Sequence, residues 1–228
     1  MRASSRSCTQ PDSNLLCIGF KEEEGSFLVG AAAALKTESN TVGFVGGQQG
    51  QGLIEKFQAG YEAGVKYIAD QEGKDIKVLV DYAGNTPEAF RNPAKGKELA
   101  LKQIGQGADV IYHASGGTGA GVISAAASKQ VYAIGVDSDQ SLTASEAERK
   151  WILTSMLKRV DTAVQESVTA YVGGTLKGGI QTFGLKEGGI DYAQNQYNKE
   201  LLGDIPTTLD ELKQKIIDGE IKVPTKPA

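Results

Sequence analysis

Short runs of β-branched and aromatic residues alternate with longer helical patterns along almost the whole chain, and that alternation leaves few folds open. The candidate strands are Asn14–Phe20, Thr41–Val45, Ile76–Tyr82, Ala108–His113, Val131–Val136, Ile152–Met156 and Gln181–Leu185. Several are continuously apolar, as strands covered on both faces must be. Between them Leu53, Phe57, Tyr61, Val65 and Ile68 recur at helical spacing, as do Val160, Val164, Val168, Tyr171 and Val172. Leu209, Leu212, Ile216 and Ile217 repeat the pattern near the end, closed by Asp218-Gly219 and Pro224. Asn92-Pro93 is a helix start, the Asn as cap and the Pro in the first helical position. Strand–helix alternation of this kind builds βαβ units, hence an α/β chain with a mainly parallel, doubly wound sheet.

In open parallel sheets ligands bind beyond the carboxyl ends of the strands. Successive strands are followed by Gly46-Gly47-Gln48-Gln49-Gly50-Gln51-Gly52, a loop with Asn85 and Phe90, Ser115-Gly116-Gly117-Thr118-Gly119, Asp137-Ser138-Asp139-Gln140, and Lys158-Arg159. Glycines, amides, an aromatic ring, carboxylates and a lysine thus converge on one edge, which makes that edge a ligand site.

The run GGTGAG (Gly116–Gly121), with Asp137 about 20 residues on, approaches a dinucleotide-binding fingerprint, although its spacing differs from G-x-G-x-x-G. A tight strand-to-helix turn with close packing accounts for the same glycines. Asp137 can still accept hydrogen bonds from the two hydroxyls of a ribose diol. His113, the only histidine, sits inside an apolar run and reads as a structural residue. No Cys/His cluster offers metal ligands, and Asp137 with Asp139 fits hydroxyl recognition better than acid–base catalysis. Neither an enzyme nor a cofactor is expected.

Charge excludes other partners. Against 28 acidic residues stand 24 basic ones, a formal charge of −4, with no basic block to grip nucleic acid or an anionic membrane. A small soluble ligand remains. No stretch approaches the roughly 20 apolar residues of a spanning helix. The first ten residues, MRASSRSCTQ, lack the apolar core of an export signal, so the chain as it stands is expected in the cytoplasm. Cys17, in LLCIGF, reads as a buried thiol and Cys8 as a loose exposed one. The pair is not expected to make a disulfide framework.

Several segments carry a family resemblance. EEGSFLVGAAAAL (Glu23–Leu35), TVGFVGG (Thr41–Gly47), KFQAGYEAG (Lys56–Gly64), NPAKGKELA (Asn92–Ala100), GADVIYHASGGTGAGV (Gly107–Val122), YAIGVDSDQ (Tyr132–Gln140), TSMLKRVD (Thr154–Asp161) and FGLKEGG (Phe183–Gly189) together resemble the basic-membrane-protein lipoproteins, which include purine nucleoside receptors. The resemblance implies a type I periplasmic-binding-protein fold of two lobes, serving a bacterial ABC importer by binding a nucleoside without catalysis. In that family a base stacks between aromatics of the two lobes while an Asp and a Lys hold the ribose. Those roles fall here on Phe90, Asp137 and Lys158, with the backbone of Gly116 and Gly117 lining the sugar. The partners implied are a nucleoside and a membrane permease, and the location implied is extracytoplasmic and lipid-anchored.

Three departures accompany the resemblance. The match starts near Pro11, so residues 1–10 form an unmatched leader without lipobox and the first lobe is incomplete. The expected division is 11–39 with 156–179 as a remnant of the first lobe, and 40–155 with 180–228 as the second. The loop Gln48–Gly52 is neutral where an acidic residue is usual, and Arg91 stands where an acidic or small residue is usual. An incomplete lobe exposes apolar surface, so lowered stability or self-association is expected. The alternatives are a nucleotide-dependent oxidoreductase built on GGTGAG, or a remnant that binds nothing.

Overall fold

A computed structural model describes Cys8 and residues 14–227. The leader at 1–10, apart from Cys8, and the start of the family match at Pro11 lie outside the described residues.

The described residues open with β1 (Leu16–Phe20) and α1 (Glu22–Lys36), followed by β2 (Thr41–Gln48), α2 (Leu53–Glu72), β3 (Lys77–Gly84) and α3 (Pro93–Gly105). Then come β4 (Val110–Ala114), α4 (Gly119–Lys129), β5 (Tyr132–Asp137), α5 (Glu146–Arg149), β6 (Ile152–Lys158) and α6 (Val160–Val172). Strands β7 (Gly179–Phe183) and β8 (Ile190–Tyr192) precede α7 (Lys199–Leu202) and α8 (Ile205–Ile217). Six strands form one sheet in the order β3-β2-β4-β5-β6-β8, parallel except for β8, which runs antiparallel to β6. All of the expected strands are present. β8 was not expected, because three residues are too few to show a period.

Alternation along the strands assigns the two faces. Val42 and Phe44 of β2, and Val110 and Tyr112 of β4, join the core under α1 and α2. Val45 and Ile111 point the other way and pack with Leu99 of α3 and Val122 of α4. Helix α1 carries SFLVGAAAAL with no polar face, and its residues from Gly25 to Ala34 are all buried. A helix apolar all round must be covered all round, and α2 lies hard against it. A Cβ on Gly60 would fall on the Glu23 carbonyl, and one on Gly64 on the Phe27 carbonyl. The expected cap of α3 is present, Asn92 Oδ1 accepting from Lys95 N at 3.0 Å.

Strands β1 and β7 form a separate parallel pair, in register from Leu16↔Gly179 to Phe20↔Phe183. The chain rejoins the large sheet only with β8. Helix α6 has the expected apolar stripe, but the stripe covers nothing among the described residues. Val160, Val164, Val168, Tyr171 and Val172 are exposed, as are Ile18 of β1 and Ile180 of β7. The cysteine reading needs correction. Cys17 is exposed on β1 and is joined to Cys8 by a disulfide, their Cα atoms 5.9 Å apart.

Candidate functional site

The carboxyl ends of β3, β4, β5 and β6 bring four of the five expected site residues into one cleft. Phe90, Gly116, Asp137 and Lys158 line it, together with Ala114 and Val136 at the strand ends and Leu53, Ile54 and Phe57 from the first turns of α2. Gly117 lies beside the Phe90 carbonyl but outside the lining.

Phe90 ends a short 3-10 turn, Pro87–Phe90, and is half-buried. Its ring packs against the Gly47 backbone, since a Cβ on Gly47 would collide with it. Thr118, fully buried, fixes the loop on both sides of it. The hydroxyl donates to Ala89 O at 2.7 Å and accepts from Asn92 N at 2.8 Å. The turn after β4 therefore holds the loop after β3, with Phe90 lining the cleft.

The remaining glycines of GGTGAG serve packing. Side chains at Gly119 and Gly121 would run into the His113 ring and the Pro93 carbonyl, so these positions let α4 close on the sheet and on α3.

Asp137 ends β5 and Lys158 ends β6. Nζ of Lys158 stands 3.2 Å from Asp137 Oδ1, the lysine side chain 21% exposed and the carboxylate 52%. The ammonium also lies 5.9 Å from the ring centres of Phe20 and Phe57. The pair presents adjacent acceptors and donors beside an aromatic face, a set suited to a polyhydroxylated ligand with a flat ring. Asp139 is not part of it. Its carboxylate accepts from Ser141 N and Oγ and from Asn195 Nδ2, binding the turn after β5 to the loop after β8.

Behind the cleft the first turn of α1 places Glu22 and Glu23, both buried, around one cation. Lys56 Nζ is 3.8 Å from Glu22 and 3.9 Å from Glu23. Desolvation outweighs Lys56 and holds both carboxyls above the usual range, and Lys158 also acts on Glu22. Sequence reasoning missed these two and the α2 residues. Glu22 and Glu23 carry no separate sequence signal, and Leu53 and Phe57 read as part of one apolar helical face.

His113 is fully buried at the end of β4, as its apolar context indicated. Burial drives its imidazole from 6.5 down to about 4. Between those values the unfolded chain takes up a proton that the folded chain refuses, so stability must fall as pH drops from about 6.5 to 4. A shift of that size corresponds to about 3 kcal/mol at the acid end. The single imidazole is expected to titrate near pH 4 in an NMR pH series of the folded chain. A midpoint near 6.5 would contradict its burial.

Among the described residues no group of three His, Cys, Asp or Glu is placed to hold a metal ion, and no helix is long and apolar enough to cross a membrane.

Residues 5–227 match the family model described as ABC transporter substrate-binding protein PnrA-like. A CD4+ T-cell-stimulating antigen of Listeria monocytogenes is 40% identical, the match covering 94% of this chain and 60% of that protein. The ABC transporter nucleoside-binding protein BmpA of Lactococcus lactis subsp. cremoris is 37% identical, over 93% of this chain and 61% of its own. An ABC transporter solute-binding protein of Aeropyrum pernix K1 has a crystal structure that superposes with a TM-score of 0.80. The two are 28% identical, over 98% of this chain and 70% of that one. The chain therefore spans about 60% of the length of these curated relatives.

Proposed function

Because the chain belongs to the PnrA-like family of ABC transporter substrate-binding proteins, we propose that it binds a nucleoside, purine before pyrimidine, for a bacterial importer and performs no chemistry on it. The ligand lies at the carboxyl edge of the six-stranded sheet. Its base stacks on Phe90, its ribose diol engages Asp137 and Lys158, and the Gly116 backbone lines the sugar. The observation that supports this reading is the convergence of Phe90, Asp137 and Lys158 on one cleft from three separate strand-end segments. The sheet β1–β7 with α6 belongs to the opposing lobe, the importer's permease receives the solute, and the setting is extracytoplasmic. The uncovered stripe of α6 and β7 is the surface through which the chain self-associates in isolation.

Thermal unfolding with a ligand panel tests the proposal. A nucleoside at 100 times its Kd adds about 2.7 kcal/mol of stability, whereas NAD adds nothing. Phe90→Ala is expected to weaken nucleoside binding by about 1–3 kcal/mol, the range for base–aromatic stacking. A stabilising effect of NAD without one from any nucleoside would reject the reading, and unchanged affinity in Phe90→Ala would reject the stacking role.

A further inference from the structure

Asp137 is one of three non-glycine residues with positive φ among the described residues, at 66°. Ser138 N donates to Val136 O at 2.8 Å, so Asp137 is the central residue of a three-residue γ-turn of the positive-φ kind. That conformation costs an L-residue roughly 1–2 kcal/mol and persists only where its surroundings impose it.

The restraint comes from one amide side chain. Strand β4 pairs with β5 only as far as Tyr112↔Ile134, whereas β6 follows β5 to Asp137↔Leu157. Beyond Ile134 the edge of β5 that faced β4 has lost its strand partner, and Gln140 takes the vacated place. Its Oε1 accepts from Val136 N at 2.8 Å and contacts His113 Nε2 at 2.8 Å. Its own backbone N donates to Ser155 Oγ on β6 at 3.1 Å. The backbone donor at Val136 requires the carbonyl end of the Gln140 amide there. Nε2 of His113 must then carry its proton, leaving Nδ1 to face the Ser115 hydroxyl at 3.4 Å. The low imidazole value keeps His113 neutral, with this single tautomer, across the physiological range. Glycine at 135 is part of the fit, since a Cβ there would lie 2.5 Å from Ser155 Oγ and 2.7 Å from Gln140 Oε1. Three strands are thus tied through Gln140 directly beneath the turn that carries the carboxylate.

We propose that Gln140, locked by His113 and Val136, is a positioning residue that holds Asp137 in its left-handed turn and so sets the site's preference for a ribose over a deoxyribose ligand. The inference rests on the nucleoside reading above. It assigns no ligand contact to Gln140; the residue acts through Asp137.

Gln140→Met keeps the volume and removes the acceptor, and Gln140→Glu keeps acceptor oxygens at the same reach. In the ligand-free chain the Asp137 13Cα and 13Cβ shifts are expected to leave left-handed values in Gln140→Met and to keep them in Gln140→Glu. With ligand, Gln140→Met is expected to weaken a riboside about tenfold, as loss of a positioned contact to a charged group does. A 2′,3′-dideoxynucleoside should be weakened less than about twofold, and no further riboside loss should appear in an Asp137→Ala background. Equal weakening of riboside and dideoxynucleoside, or additivity with Asp137→Ala, would overturn the proposal. If the wild-type chain binds no nucleoside, the function reading fails, while the ligand-free shifts still decide the role of Gln140. Unchanged Asp137 shifts in Gln140→Met would overturn it.

Discussion

Gly121→Ala is expected to destabilise the chain by about 3 kcal/mol, the upper part of the range for overpacking a dense contact. One methyl has this effect because of what it meets. A Cβ at 121 would overlap the Pro93 carbonyl oxygen and stand 2.7 Å from Lys97 N, both backbone atoms of α3. No rotamer change can relieve a clash with backbone, so α3 and α4 must separate and open the layer that holds Val45, Leu99 and Ile111. Gly105 is the control. It lies in α3 with nothing within 4 Å of a built Cβ, and Gly105→Ala is expected to stabilise by about 0.5–1 kcal/mol. Urea unfolding of both variants, at unchanged m, checks the pair.

Asp137→Ala is expected to weaken riboside binding by about 10- to 100-fold, the loss that follows when a charge-assisted contact is removed. Two things make this residue worth more than its half-exposed carboxylate suggests. Its backbone sits at a φ of 66°, which the proposed Gln140 network holds in place before ligand arrives. Removing it also leaves Lys158 without its 3.2 Å partner beside two aromatic rings, where the ammonium no longer offers the paired arrangement a diol needs. Asp139→Ala separates this from a general effect of losing a nearby carboxylate. It breaks the Ser141 and Asn195 bonds and is expected to lower stability rather than change the ratio of riboside to dideoxynucleoside affinity. Calorimetric titration of both variants gives the comparison. Equal affinity in Asp137→Ala and wild type would remove the diol assignment.

Much of the large sheet was legible because its determinants are local. Continuous apolar runs such as Val110–Ala114 are strands buried on both faces, and Asn92-Pro93 satisfies a helix start within four residues. The convergence of strand-end residues on one cleft was legible for the same reason. In a parallel sheet everything that follows a strand lies at one edge, so Phe90, Gly116, Asp137 and Lys158 share a cleft by topology. Features set by non-local packing did not show. The apolar spacing of α6 has the period of a buried face, yet whether a face is covered depends on what packs against it. LLCIGF has a core composition, but β1 lies in a two-stranded pair with β7, and the exposed Cys17 meets Cys8 instead. Leu53 and Phe57 belong to one helical stripe, and only the structure separates the turns that face the cleft from those that face α1. Gln140 closes a motif that the sequence does single out, but its partner His113 lies 27 residues away, and no spacing rule joins them.

A nucleoside is proposed to bind at the carboxyl edge of the six-stranded sheet. An NMR titration of the isotopically labelled chain with inosine or adenosine tests it most directly, because it locates binding and detects weak as well as tight association. The expected result is a set of saturable shifts concentrated at Phe90, Gly116, Asp137 and Lys158, absent when NAD replaces the nucleoside. Shifts confined to another part of the surface, or none at millimolar nucleoside, would contradict it.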